Sequence, residues 1–155
     1  MIFKCNSLKE TQALGQRLGK LLIPGDVVAL HGDLGSGKTS LVQGVVQGLG
    51  LSKDEIVNSP TFIIANFYPT RTPVCHVDFY RIQNLQEFDH LGILDLLGDT
   101  HIFLIEWFEK FPSVWTGDTI HLYFELESET MRRIEIKATE RRSSEILSLL
   151  GQAEP

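Results

Sequence analysis

The sequence predicts an α/β layered fold in which helices pack against a mixed β-sheet. Three observations carry that expectation. Val27-Val28-Ala29-Leu30 and Ile102-Phe103-Leu104-Ile105 are short, uninterrupted apolar runs, the pattern of strands buried on both faces. Leu14, Leu18, Leu21 and Leu22, and later Leu41, Val42, Val45, Val46 and Leu49, recur at helical period. Near the end, Ile120, Leu122, Phe124 and Leu126 alternate with polar residues, as do Ile134, Ile136 and Ala138. That pair reads as an antiparallel hairpin with one solvated face, which makes the sheet mixed rather than purely parallel.

In chain order, Ile2 to Cys5 reads as a short strand. Ser7-Leu8-Lys9-Glu10 has the spacing of a capping box, in which a serine oxygen and a glutamate satisfy the free amides of a first helical turn. Pro24-Gly25 ends that first helix. The second helix carries Gly50 where a C-terminal cap belongs. Phe62 to Phe67 and Val74 to Val77 are expected strands, joined through Pro69 to Pro73. Leu85 to Leu97 is helical in pattern but interrupted by Gly92, and an amphipathic helix from Ser143 to Leu150 closes the chain.

The chain has 155 residues, enough for one compact domain with its own core. Fourteen Lys and Arg face twenty Asp and Glu, a net charge of -6. An acidic chain gains little from phosphate contacts, which argues against strong direct nucleic-acid binding. Arg132-Arg133 and Arg141-Arg142 are the candidates for a local basic patch, with solvated surface the favoured reading. Cys5 and Cys75 have no metal-ligand spacing and are expected to be free thiols. No apolar run reaches membrane-spanning length, and Met1-Ile2-Phe3-Lys4 opens no signal peptide. The expected location is the cytoplasm, with no membrane partner.

The chemistry concentrates in Gly32-Asp33-Leu34-Gly35-Ser36-Gly37-Lys38-Thr39, which fits the phosphate-binding P-loop pattern. Glycines at 32, 35 and 37 let the backbone curl so that successive amides point inward at phosphate oxygens. The helix that follows adds its positive N-terminal end. Lys38 brings an ammonium to the β- and γ-phosphates, and Thr39 offers a hydroxyl to Mg²⁺. A buried strand before the loop and an amphipathic helix after it supply the required context. The expected fold is therefore α/β, a P-loop NTPase-like three-layer sandwich with a mixed sheet and a C-terminal antiparallel hairpin, forming a single P-loop ATPase domain over residues 1–155.

Such a site needs an acidic group on a neighbouring strand to hold the magnesium shell. Asp78 ends Val74-Cys75-His76-Val77-Asp78, and Glu106 ends the Ile102 run. Both are carboxylates closing apolar strands, and the pattern does not rank them. Ser59-Pro60-Thr61-Phe62 could bring a hydroxyl to the γ-phosphate and Mg²⁺, as switch segments do, or be an ordinary proline turn. Arg81 could stabilise transferring phosphoryl charge, though a plain surface arginine is the favoured reading; Trp107 reads as a core edge or an exposed contact, and the five histidines as structural or surface.

No Asn-Lys-x-Asp string exists to read guanine. The two Asp-x-x-Gly strings, starting at Asp89 and Asp95, lie inside a helical pattern rather than at a strand end. ATP is therefore the expected nucleotide. The stretch Leu85 to Gly98 has no arginine, which weighs against the lid of a small kinase.

The chain resembles the TsaE family of bacterial ATPases, formerly YjeE, over nearly its whole length. The resemblance is carried by His31 to Thr39, Ser59-Pro60-Thr61-Phe62, His76-Val77-Asp78-Phe79-Tyr80-Arg81 and Ile105-Glu106-Trp107, with Ser7, Thr11 and Leu14-Gly15 near the start. It implies an ATP- and Mg²⁺-dependent hydrolase in tRNA processing, required for making threonylcarbamoyladenosine. Its expected partner is the TsaB–TsaD complex, through which it meets tRNA indirectly. Carried onto this chain, Thr39 and Glu106 would ligate Mg²⁺, Asp78 would assist hydrolysis through water, and Lys38 would complete the catalytic set. The implied nucleotide-binding residues are Thr11 near the adenine, then Asp33, Leu34, Gly35, Ser36, Gly37, Lys38, Thr39 and Ser40, with Thr61 and Trp107 beside the γ-phosphate. Activity alone is expected to be weak, because no arginine finger is evident. Two other readings remain: a nucleotide-gated binding module in which hydrolysis is incidental, and a small-molecule kinase.

Overall fold

A computed structural model describes residues 1–98 and 100–152. Seven strands form one sheet: β1 (Ile2–Cys5), β2 (Val27–His31), β3 (Ala65–Tyr68), β4 (Val74–Asp78), β5 (Ile102–Glu106), β6 (Ile120–Leu126) and β7 (Arg132–Ala138). Their order across the sheet is β1-β7-β6-β2-β5-β4-β3. The four central strands β6, β2, β5 and β4 run parallel, while β3, β7 and β1 pair antiparallel with their neighbours. The expected hairpin is β6–β7. It extends the parallel sheet directly, because β6 pairs with β2 and β7 carries β1 on its outer side.

The helices are α1 (Leu8–Leu21), α2 (Lys38–Gly48), α3 (Leu85–Asp89) and α4 (Arg141–Gln152). One sheet face is covered by α1, α2 and α4, whose Leu14, Leu18, Leu41, Val45 and Ile146 pack on Val28, Leu30, Val74 and Leu104. The other face is covered by α3 and by single 3-10 turns at Leu94–Leu96, Phe108–Lys110 and Pro112–Val114. There Phe79, Phe88 and Phe108 pack on Val27, Ala29, Val77 and Ile105. The fold thus has three layers, the third built of short pieces.

Local signals act where the sequence places them, with small shifts. Ser7 is the N-cap of α1, and its hydroxyl accepts the Glu10 amide at 3.2 Å. The Glu10 carboxylate reaches back to the Asn6 amide, one residue further than in a capping box. Gly50 follows α2 with φ +100°, a left-handed turn that suits glycine. The expected strand from Phe62 is corrected: Thr61 to Ile64 is turn, and β3 begins only at Ala65. The Ile63 and Ile64 amides both donate to the Pro60 carbonyl, so the proline turn takes the backbone groups a strand would need. Gly92, at φ +66°, divides the Leu85–Leu97 region into α3 and a 3-10 turn.

α1 and α2 meet backbone to backbone. A Cβ on Gly15 or Gly19 would run into the Leu41 or Val45 carbonyl, and one on Gly44 or Gly48 into the Gln12 or Gln16 carbonyl. Gln12 and Gln16 then donate across the seam to Gln43 and Gln47 at 2.8 and 2.9 Å. This seam fixes α2, whose first residue is Lys38, against the middle and last turns of α1. Gly44→Ala should force the helices apart and cost about 1–3 kcal/mol, as overpacking does. Denaturant unfolding measures it; an unchanged midpoint would contradict the close packing.

Candidate functional site

The parallel sheet sets the site. Residues of one strand alternate between faces, so Val74, His76 and Asp78 share the α2 side, as do Ile102, Leu104 and Glu106. Register pairs Asp78 with Glu106, and Leu30 with Glu106 on the other flank. Both carboxylates therefore finish adjacent strands beside the loop that leaves β2. Ligands of open α/β sheets sit at these carboxyl ends.

A cleft of ≈ 290 Å³ opens there. Its walls include Leu34, Gly35, Gly37, Lys38, Thr39 and Ser40 from the loop and α2, Ser59 and Thr61 from the proline turn, and Asp78, Glu106 and Trp107 from the strand ends. Leu8 and Arg132 close one side. Most of the residues expected at the site thus converge. Asp33 does not line the cleft, although its carbonyl accepts Lys38 Nζ at 2.9 Å. Ser36 lies buried beneath the loop. Thr11, expected near the adenine, is fully buried behind the cleft walls, and its hydroxyl donates to the Ser7 carbonyl. The helical turn that carries it presents Leu8 to the cleft instead.

The loop's end is shaped for anions. Gly37 is the N-cap of α2 at φ +107°, and no side chain caps the first turn. The first-turn amides are therefore available to an outside acceptor. The Lys38 ammonium donates to the Gly32 and Asp33 carbonyls and lies 4.8 Å from the Trp107 ring centre. Burial pushes Lys38 below its usual range, against the opposing pull of Glu106 and Asp78.

The two carboxylates differ in what they already hold. Asp78 Oδ2 accepts the Ser59 and Thr61 hydroxyls at 2.9 and 2.7 Å, and Oδ1 accepts the Tyr80 amide at 2.8 Å. Glu106 Oε1 bonds His76 Nε2 at 2.9 Å. Among the described residues, Glu106 Oε2 makes no hydrogen bond, and Glu106 faces the cleft. Two non-glycine residues with positive φ flank these groups, Ile64 at 73° and Trp107 at 59°. Such conformations are costly for bulky side chains and collect at functional sites.

Comparison with known proteins places the chain in a family. The family model for threonylcarbamoyl adenosine biosynthesis protein TsaE matches residues 5–135. The chain belongs to the TsaE family. Relatives named tRNA threonylcarbamoyladenosine biosynthesis protein TsaE include that of Treponema pallidum (strain Nichols), 32% identical over 84% of this chain and 95% of its own. The Synechocystis relative is 47% identical over 74% of each chain. A crystal structure of Bacillus subtilis YdiB superposes with a TM-score of 0.81 at 26% identity, covering 98% of this chain and 94% of that one. The TsaE family belongs to the biosynthesis of threonylcarbamoyladenosine in tRNA.

Four residues of this TsaE-family chain act where the sequence reading did not place them. Arg132, read as solvated surface, is 6% exposed; its Nε donates to the Ser36 carbonyl at 3.1 Å and its NH1 to the Thr130 carbonyl at 2.8 Å. It braces the loop from β7, and a Cβ on Gly37 would come within 2.7 Å of its Nε. Lys110 donates to the Phe79, Tyr80 and Ile82 carbonyls at 2.7–2.9 Å, tying the chain after Asp78 to the chain after Glu106. His76, grouped with the structural histidines, holds Glu106. Arg142, from the other basic pair, bonds the buried Asp26 at 3.0 Å. Arg81 stacks on the exposed Phe62 ring at 4.1 Å, outside the cleft walls.

Arg132→Met should release the loop carbonyl and lower stability by about 1.5–3 kcal/mol, the range for hydrogen bonds to charged groups. Denaturant unfolding reads the loss, and hydrogen exchange at the Ser36 and Gly37 amides should accelerate with it. Unchanged stability and exchange would contradict the brace.

Proposed function

We propose that this chain is a Mg²⁺-dependent ATPase that serves threonylcarbamoyladenosine modification of tRNA by acting on the TsaB–TsaD complex. The observation that carries the reading is the convergence of the glycine loop, Lys38, Thr39, the Ser59–Thr61 turn and two strand-end carboxylates in one cleft. A triphosphate brings concentrated negative charge, which inward amides, a helix N-terminus and a buried ammonium are suited to meet. The nucleoside end is assigned to the wall of Leu8 and Arg132, with Thr11 supporting that turn from below. Family membership, and the absence of a guanine-reading string, favour ATP.

The donor set fits a hard divalent ion. Thr39 supplies a hydroxyl, and Glu106 a carboxylate oxygen with no hydrogen bond among the described residues, both residues lining the cleft. Mg²⁺ bound there would spread phosphate charge and hold the β- and γ-phosphoryl groups in one geometry. This chain's own groups do the rest. Lys38 orients the phosphates. Asp78 fixes the Ser59 and Thr61 hydroxyls and helps position the attacking water. Trp107 covers the ammonium and limits solvent beside the γ-phosphate.

The placement of the cationic groups supports partner dependence. Arg132 already donates to two backbone carbonyls, and Arg81 lies on Phe62, so neither is poised as an arginine finger. The net charge of -6 suits action through protein partners rather than on tRNA directly. Among the described residues no helix is long and apolar enough to cross a membrane. We assign the protein to the cytoplasm, where tRNA is modified.

ATP turnover should be slow for the chain alone and rise at least tenfold when TsaB and TsaD are added. Asp78→Ala should cut turnover by a hundredfold or more while nucleotide still binds. Equal rates with and without the partners would contradict partner action. Full tRNA modification by a turnover-dead Asp78→Ala chain would favour a nucleotide-gated binding module.

A further inference from the structure

His76 is an expensive residue for its position. It sits in the middle of β4 with no exposed surface, between Val74 and Asp78 on the side that faces α2. Its Nδ1 is buried and, among the described residues, has no hydrogen-bond partner. A leucine or valine there would extend the apolar face without an orphaned nitrogen, and buried polar atoms left unpaired cost stability. What the imidazole adds, among the described residues, is one hydrogen bond, between Nε2 and Glu106 Oε1 at 2.9 Å.

We propose that His76 is a positioning residue for the divalent cation site, fixing which oxygen of Glu106 faces the cleft. This rests on the reading of Glu106 as a Mg²⁺ ligand. With Nδ1 unpartnered, a neutral ring carries its proton on Nε2. The other tautomer would bury an N–H without an acceptor and set two lone pairs against each other at the Glu106 contact. The carboxylate therefore accepts, Oε1 is held against β4, and Oε2 is left toward the cleft. Asp78 is the contrast: hydroxyl or amide donors occupy both of its oxygens. The diagonal placement makes the bond possible, since Asp78, not His76, is the direct register partner of Glu106. Metal-ligating groups are commonly oriented by a second hydrogen-bonding partner, and loss of that partner weakens metal affinity 10–100-fold.

The test is the ratio of ADP affinity with Mg²⁺ to that in EDTA, measured by calorimetry on the full chain. His76→Met removes the donor while keeping bulk. It should lower the ratio at least tenfold and leave the EDTA affinity within twofold of the unsubstituted chain. His76→Gln, whose amide nitrogen can occupy the Nε2 position, should restore the ratio to within threefold. An unaltered ratio in the Met variant, or an equal loss with and without Mg²⁺, would overturn the proposal. Should the Met variant fail to fold, ¹⁵N-histidine spectra of the unsubstituted chain decide. The His76 Nε2 resonance should move when Mg²⁺ is added to the ADP complex, and a stationary resonance would overturn the assignment. An unsubstituted chain that binds no ADP at all would defeat the proposed function as well, whereas normal Mg·ADP binding with an unaltered Met ratio would defeat only the role of His76.

Discussion

Lys38, Asp78 and Glu106 are buried around one cleft, yet among the described residues no ion pair joins the lysine to either carboxylate. That separation is the constraint on which the site depends. Burying charges is costly, and the simplest relief would be for the ammonium to close on a carboxylate. Here separate sets of donors and acceptors hold each group in its own place. Carbonyls of Gly32 and Asp33 hold the lysine, hydroxyls and an amide hold Asp78, and an imidazole holds Glu106. A cleft kept in this state retains positive charge for an anion and negative charge for a cation. It is suited to a ligand that brings both, as a metal-bound polyphosphate does.

The scaffold exists to maintain that separation. Parallel pairing of β4 with β5 sets the two carboxylates side by side, and pairing of β2 with β5 brings the loop beside them. The glycine seam locks α2 to α1, so the helix that begins at Lys38 cannot drift from the strands. Arg132 reaches from β7 to hold the loop's far side. Lys110 and Trp107 close the front from the segment after β5. The strained backbones of Ile64 and Trp107 lie where these supports meet the cleft.

What could be read from the sequence was what is local in it. The glycine loop, Lys38 and Thr39 are contiguous, and their context of buried strand and amphipathic helix is contiguous too. Asp78 and Glu106 were legible singly, as acids closing apolar runs, but their pairing was not, because it is set by strand register across a gap of nearly thirty residues. Arg132 was hidden for the same reason, since nothing near it in the chain indicates that β7 borders the loop. His76 carried a signal that was available: a lone histidine inside an otherwise apolar strand two residues before an acid. Its partner, however, lies on another strand. The proline turn at Pro60 outweighed the β-propensity of Phe62 to Ile64, so the turn that carries Thr61 to Asp78 was misread in part as strand. Thr11 kept its helical position but points into the core, a distinction that helical period alone does not make for one residue.

The measurement that bears most directly on the account is calorimetric titration of the folded chain with Mg·ATP and Mg·ADP, alongside Lys38→Ala and Thr39→Ala chains of equal stability. The account predicts saturable one-to-one binding to the unsubstituted chain, and its loss in both variants. Absence of binding heat in the unsubstituted chain at several temperatures, or unchanged affinity in the Lys38→Ala chain, would contradict it.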